Sequence, residues 1–154
     1  MNPKIHLILG TLFLVIFYLI FPKTNLVNLT ILWLSTWFLI DSDYPLIYFI
    51  KNKTINPKKF VKFYNKRKKV WKSLTLEEIK EFKYPIRIFH NLEFLLLLTL
   101  ISIKVSFIFY LLIGFIFHLI LDWIYEFSKR ENILKKVSLI YVIVKNKNKE
   151  ELKT

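Results

Sequence analysis

Apolar residues along this chain come in long, nearly unbroken runs, not at the spaced intervals of an amphipathic surface helix. Residues 5–21 are almost wholly apolar and end at Pro22. Residues 26–40 form a second run, with Trp33 and Trp37 one turn apart. Residues 88–103 and 105–125 form a third and a fourth, divided at Lys104. Each run is near the roughly 17–25 residues that a helix needs to cross a bilayer. No small-residue cleavage site follows the first run and the next element is again apolar, so it reads as a span and not as a leader. The pattern predicts an all-α integral membrane bundle of about four transmembrane helices over residues 1–130.

The polar stretches set the connections. Residues 22–25 read as a short turn. After the second run comes Asp41-Ser-Asp43-Tyr-Pro45. The residue before a proline is pushed away from helix, so a stop or kink is expected there, with apolar 46–50 continuing to the surface. Residues 51–88 form one long basic loop. Between Lys51 and Lys83 it carries 12 Lys and Arg against 3 Glu, a surplus of +9. Phe60, Phe63, Tyr64, Arg67, Val70 and Trp71 recur at helical spacing among the lysines, the pattern of a helix lying on anionic lipid. Thr75 and Glu78 fit a capping box that opens a short helix, with Leu74 and Ile79 as its staple. In the last segment, 131–154, the apolar run 137–144 is too short to span. It is expected to lie on the surface or cap the bundle, with a β-like conformation as one option. The charged tail from Lys145 is expected to fray.

Composition narrows this further. The 154 residues are 55% hydrophobic, with a mean hydropathy of +0.41, too apolar for an ordinary soluble domain. A chain of this length makes one domain. Cysteine is absent, which excludes disulfides and thiolate metal sites. The net charge of +13 suits anionic lipid or nucleic acid as a partner. Lys, Asn, Ile, Phe and Tyr are all abundant, as AT-rich coding produces, so part of the lysine excess is compositional. Lipid headgroups account for the basic loop more simply than nucleic acid does. Positive charge marks the cytoplasmic side. The loop therefore belongs inside, and four spans place both termini there too, in a multi-pass protein of the cell membrane.

That topology gathers the candidate chemistry at one end. His6 begins an outward span, and Asp41 and Asp43 end the returning one. His90 and Glu93 begin the third span, and His118 and Asp122 lie near the end of the fourth. His118 and Asp122 are four apart, so a helix puts them on one face. Ionisable residues within apolar runs usually face a bundle interior or a wet cavity. Gly10 and Gly114 each share a helical face with a histidine, which suggests that the histidine faces of spans one and four pack together. Three histidines and four carboxylates form an N/O ligand set suited to Zn²⁺, Mn²⁺ or Fe²⁺. A divalent ion in such a set activates water near neutral pH, and a remaining carboxylate, Glu93, is the candidate general base. A proton or cation relay would use the same residue types. A Gly-x-Ser-x-Gly elbow is absent, and two glycines leave no phosphate-cradling loop.

The order of these motifs resembles the YdjM-like family of inner-membrane-associated, metal-dependent hydrolases. His6 falls in the first span and Asp41-Ser-Asp43 after the second. Arg87-Ile-Phe-His90-Asn91 precedes the third, and His118-Leu-Ile-Leu-Asp122 lies in the fourth. The likeness covers roughly residues 5–125. The family pattern before the third span has two histidines, close to His-Arg-x-x-Thr-His-Ser. Here only His90 remains, and Asn91 stands where Ser is typical, which puts a two-metal site in question. The resemblance implies a helical membrane protein that hydrolyses a membrane-proximal substrate, such as a phosphoester or lipid headgroup, with a divalent metal, Zn or Mn. His6, Asp41, Asp43, His90 and His118 are then the ligands and Asp122 a ligand or second-sphere partner with a catalytic role. Glu93 is the base, and Arg87 a clamp for an anionic substrate group. Two other readings stand beside it. One is a non-enzymatic membrane protein whose His/Asp cluster handles ions or fixes packing. The other is a membrane-tethered binding module that works through its basic loop.

Overall fold

A computed structural model describes residues 3–84, 86–128, 138–147 and 149. The Ile79 half of the expected staple lies outside the described side chains. The regular elements among the described residues are helices, without a strand: α1 (Pro3–Ile20), α2 (Leu26–Leu34), α3 (Asp43–Asn52), α4 (Pro57–Ser73), α5 (Leu76–Glu81), α6 (Leu92–Ser102), α7 (Ser106–Ser128) and α8 (Leu139–Asn146).

Local chemistry explains the ends. Pro22 cannot continue α1, and the Asn25 side chain accepts from Asn28 N at 2.9 Å to open α2. Lys104 N reaches back to Ile101 O at 3.0 Å in the tight turn before α7. Thr75 and Glu78 form the reciprocal capping box of α5. Asn91 caps α6 by accepting from Phe94 N at 2.8 Å, so the helix begins at Leu92, later than the apolar run suggested.

Two expectations are corrected. Of the stop or kink expected at Asp41–Pro45, the stop does not occur. Between α2 and α3 the ladder widens to a π turn over Ser35–Leu39, then tightens to a 3-10 turn over Ile40–Ser42. Ser42 and Asp43 keep helical backbone angles. Pro45 falls in the first turn of α3, where a missing N–H and the proline ring are tolerated. Nor is the described part of that run, from Ser138, β-like: 139–146 is the helix α8, capped by Ser138.

Side-chain contacts fix an up-and-down arrangement of α1, α2, α6 and α7. Residues early in α1 meet residues late in α7: His6 stacks on His118 and Phe13 on Phe117, whereas Phe17 lies against Tyr110 near the start of α7. Trp33 of α2 donates to Thr11 of α1 at 3.1 Å. α7 is the central helix and packs on the other three. The apolar core joins Ile40, Leu98, Leu112, Phe115 and Leu119. Within α7, Ser106–Tyr125 is long and apolar enough to cross a membrane, while Lys4–Ile20 and Leu92–Ser102 are apolar but shorter.

The two glycines let α2 sink between α1 and α7. A Cβ on Gly10 would collide with the Thr36 hydroxyl, and one on Gly114 with Ser35 and the Leu32 carbonyl. They seat the second helix, and the histidine faces of α1 and α7 meet as the sequence suggested.

Candidate metal centre

The most deeply buried side chains of this molecule include polar ones: His6, Ser35, Thr36, Asp43, His90 and His118 are all almost inaccessible. They converge at one end of the bundle, where α1 begins, the α2–α3 junction passes, α6 begins and α7 nears its end.

His118 supplies the middle of the cluster. Its Nδ1 lies 2.9 Å from the Thr36 carbonyl, which can only accept, so Nδ1 carries the proton. In the neutral ring Nε2 then holds a lone pair. The Thr36 carbonyl lies in the π turn, where the change in ladder spacing aims main-chain groups differently from an α-helix. The His118 ring stacks on His6 at 4.0 Å with an interplanar angle of 1°, and meets His90 edge-on at 5.5 Å.

His90 is held in the same manner by a carboxylate. Its Nδ1 lies 3.0 Å from Asp43 Oδ2, and Asp43 is completely buried. Its Nε2 faces Asp41 Oδ1 at 3.2 Å and Asp122 Oδ2 at 4.0 Å. His6 Nε2 lies 3.1 Å from Asp122 Oδ1, and Asp122 Oδ2 is 3.9 Å from His118 Nε2. The Asp41 side chain is 40% exposed, which makes it the cluster's contact with solvent.

Several of these atoms lack what burial demands. His6 Nδ1, Asp43 Oδ1, His90 Nε2 and His118 Nε2 are buried with no hydrogen-bond partner; the Asp41 oxygen near His90 Nε2 lacks hydrogen-bond alignment. A buried polar atom left unmade costs about 1–3 kcal/mol. Two overlapping sets could hold a metal ion: His6, His118 and Asp122, and Asp41, His90 and His118, with the ligand atoms of each within 4.8 Å of one another. His118 belongs to both. Imidazole nitrogens and carboxylate oxygens are donor types that divalent metal ions accept.

The other candidates sit around this centre. Asp43 orients His90 instead of joining either set. Glu93 is turned away: its carboxylate accepts from Ser138 Oγ at 2.7 Å and from the main-chain N–H groups of Leu139 and Ile140 at 3.2 Å, capping α8. Arg87 stacks over Tyr44, with its guanidinium carbon 5.1 Å from the ring centre. Burial by itself would lower its pKa, but Tyr44 and the carboxylates of Asp122, Asp43 and Asp41 together raise it, so it stays charged beside the cluster. Sequence reasoning missed Thr36, which acts through its carbonyl and so leaves no side-chain signal. It also missed Asn91, whose signal was present: an N-cap residue type immediately before an apolar run.

No family model matches the chain, and no curated protein or solved structure matches it either.

Proposed function

We propose that the chain is a multi-span membrane protein with a metal-dependent hydrolytic site at the cytoplasmic end of its bundle, acting on a membrane-proximal phosphoester. The observation that carries this is the pair His90 and His118. Each is buried, each has Nδ1 fixed by an acceptor, and each turns an unpartnered Nε2 towards aspartate oxygens. That is a ligand set held in its binding tautomer by outer hydrogen bonds.

Burial supports the membrane setting. Large apolar side chains face outward all around the bundle, among them Leu19 at 72%, Leu26 at 79% and Ile103 at 78% exposure. Water would penalise such a surface, and lipid would not. At about 1.5 Å per residue, Asp122 lies roughly 24 Å along α7 from Ser106, close to the far edge of a hydrocarbon layer of about 30 Å. His118, one turn earlier, lies about 18 Å along, so the cluster occupies the cytoplasmic part of the hydrocarbon layer and opens towards the headgroups through Asp41.

His6, Asp41, His90, His118 and Asp122 would hold the ion, Zn²⁺ or Mn²⁺. When bound, such an ion supplies Lewis acidity and activates water near neutral pH. Asp43 keeps the His90 proton on Nδ1. Asp41 admits water at the exposed edge and has an oxygen there that can take a proton. Arg87, cationic and beside the cluster, is placed for an anionic phosphoryl oxygen.

A second reading has its own support. His6 with Asp122, and His90 with Asp43, pair within 3.1 Å without any ion, as a proton-handling or structural network would. Metal analysis of detergent-purified protein separates the two. Stoichiometric Zn or Mn in the wild type, lost in a still-folded His118→Ala variant, is expected. Absence of metal after loading with both ions overturns the hydrolase reading and leaves the paired network.

A further inference from the structure

α3 and α4 form a hairpin that the metal centre does not use. α4 carries eight Lys and Arg and no acid in its 17 residues. One stripe of the helix is half-buried: Phe60, Phe63, Arg67, Val70 and Trp71, at spacings of three and four. α3 covers its first part. Tyr48 packs on Phe60 at 5.3 Å and on Phe63 at 5.0 Å, Phe49 packs on Phe60 at 5.8 Å, and Tyr44 meets Tyr64 at 6.0 Å. The aromatic stripe is therefore an internal seam that holds the hairpin closed, whereas the sequence pattern had assigned these residues to lipid.

What the hairpin presents outward is a different set. Ile50 at 68%, Ile55 at 85% and Val61 at 52% exposure stand at the elbow and along α4. Around them are the exposed lysines Lys51, Lys53, Lys58, Lys59 and Lys62. The elbow itself turns at Lys53, which has a left-handed backbone with φ of 49°. Asn56 then opens α4, accepting from Lys58 N at 3.0 Å. Exposed β-branched residues inside a ring of cations match one surface well: apolar side chains enter the acyl boundary while lysines meet phosphate. A nucleic acid would use the lysines and leave the isoleucines in water.

We infer that the elbow of the α3–α4 hairpin, centred on Ile50, Ile55 and Val61, docks on the surface of a bilayer rich in anionic phospholipid. The docking rests on the bundle lying in a membrane, and not on the metal. α3 leaves the bundle directly from the π and 3-10 junction that carries Asp41, so the hairpin emerges at the same end as the cluster. A docked elbow there would set the site's mouth against anionic headgroups.

The absence of cysteine makes the test direct. A nitroxide on Ile55→Cys reads the elbow, and one on Leu19→Cys reads the bundle, each in full-length protein reconstituted into vesicles. The expected result is an Ile55 label that passes from water-accessible in neutral phosphatidylcholine to oxygen-accessible when phosphatidylglycerol is included. High salt should reverse it. Lys58→Gln, Lys59→Gln and Lys62→Gln together should weaken docking on the order of a hundredfold, at the strength usual for lysines near an anionic surface. An Ile55 label that stays in water in both lipids overturns the inference, as does one equally buried in both, because charge would then play no part. Immobilisation by added RNA without any response to anionic lipid overturns it too, in favour of nucleic acid. Failure of the membrane reading shows separately, as a Leu19 label exposed to water. Failure of the metal reading leaves the Ile55 result untouched.

Discussion

At the scale of single residues, His90 and His118 are anchored through Nδ1 whereas His6 pairs through Nε2, and substitutions of their partners should report that. Asp43 touches His90 Nδ1 and no other cluster histidine within salt-bridge distance. Asp43→Asn can present an amide N–H to that nitrogen and so favour the wrong tautomer at Nε2. Loss of an outer partner of this kind typically weakens metal binding about 10–100-fold. A competition titration with Zn²⁺ measures it, and unchanged affinity would remove Asp43 from the site. The glycines make a prediction about packing. Gly114→Ala meets the Leu32 main-chain carbonyl as well as Ser35, and main chain cannot swing aside. Overpacking there should cost about 1–3 kcal/mol. Gly10→Ala meets chiefly the Thr36 side chain, and should cost less. Thermal unfolding in detergent compares the two, and equal losses would contradict the geometry. The exposed box of α5 gives a pH sign. Hydrogen bonds from the Thr75 N–H, and then from its hydroxyl, hold the Glu78 carboxyl below its ordinary value. Its contribution to α5 is therefore present above the ordinary carboxylate range and lost as pH falls through the lowered value. NMR titration of Glu78 should show a low midpoint, and Thr75→Ala should move it back up.

At the scale of elements, what the sequence disclosed depended on periodicity. α1, α7 and the 26–42 helical stretch follow from apolar runs, and the His118–Asp122 face follows from a helix that forms where expected. Glu93 shows where that reasoning ends. The sequence sets His90 and Glu93 together at the start of the third span, but Asn91 caps α6 and leaves His90 outside the helix, so only Glu93 belongs to it. Glu93 turns instead to α8, whose start lies 45 residues away along the chain. No local pattern signals that partner, and the β-branched residues of α8 pointed towards a strand. The clasp has a second end: Asn146 accepts from Tyr84 N at 2.8 Å and donates to Tyr84 O at 2.9 Å. Glu93→Ala should therefore release one end of α8, leaving metal content intact. Amide exchange over 139–146 should quicken while α7 stays protected. Loss of metal with no change in α8 would return Glu93 to the cluster.

At the scale of the whole molecule, the decisive feature is the inversion of polarity. Aspartates and histidines occupy the interior at one end, and leucines, isoleucines and phenylalanines face outward. In water this arrangement forfeits the apolar burial that drives folding. In lipid the outer surface costs little, and the buried His–Asp pairs are the sort of groups that a bundle interior retains. The shorter helices strain this account: α6 has 11 residues, about 17 Å at a helical rise, against about 30 Å of hydrocarbon. A short helix can be accommodated by local thinning or by neighbouring segments that continue its path, at a modest cost per ångström. In the proposed bundle, residues 88–91 lead into α6 and Asn91 takes the cap, so part of that crossing would be made by non-helical chain packed against α7. Such backbone is tolerated at membrane depth only where protein covers it, and His90 and Asn91 are both buried. The arrangement predicts which side each connection faces. A cysteine replacing exposed Lys104 in the α6–α7 turn should react with a membrane-impermeant maleimide added outside intact cells. One replacing Lys53 in the α3–α4 elbow should react only after permeabilisation, because the basic loop belongs inside. Labelling of both from the same side would sink the four-span bundle, and would leave α7 as the one helix among the described residues with the length and apolarity to cross.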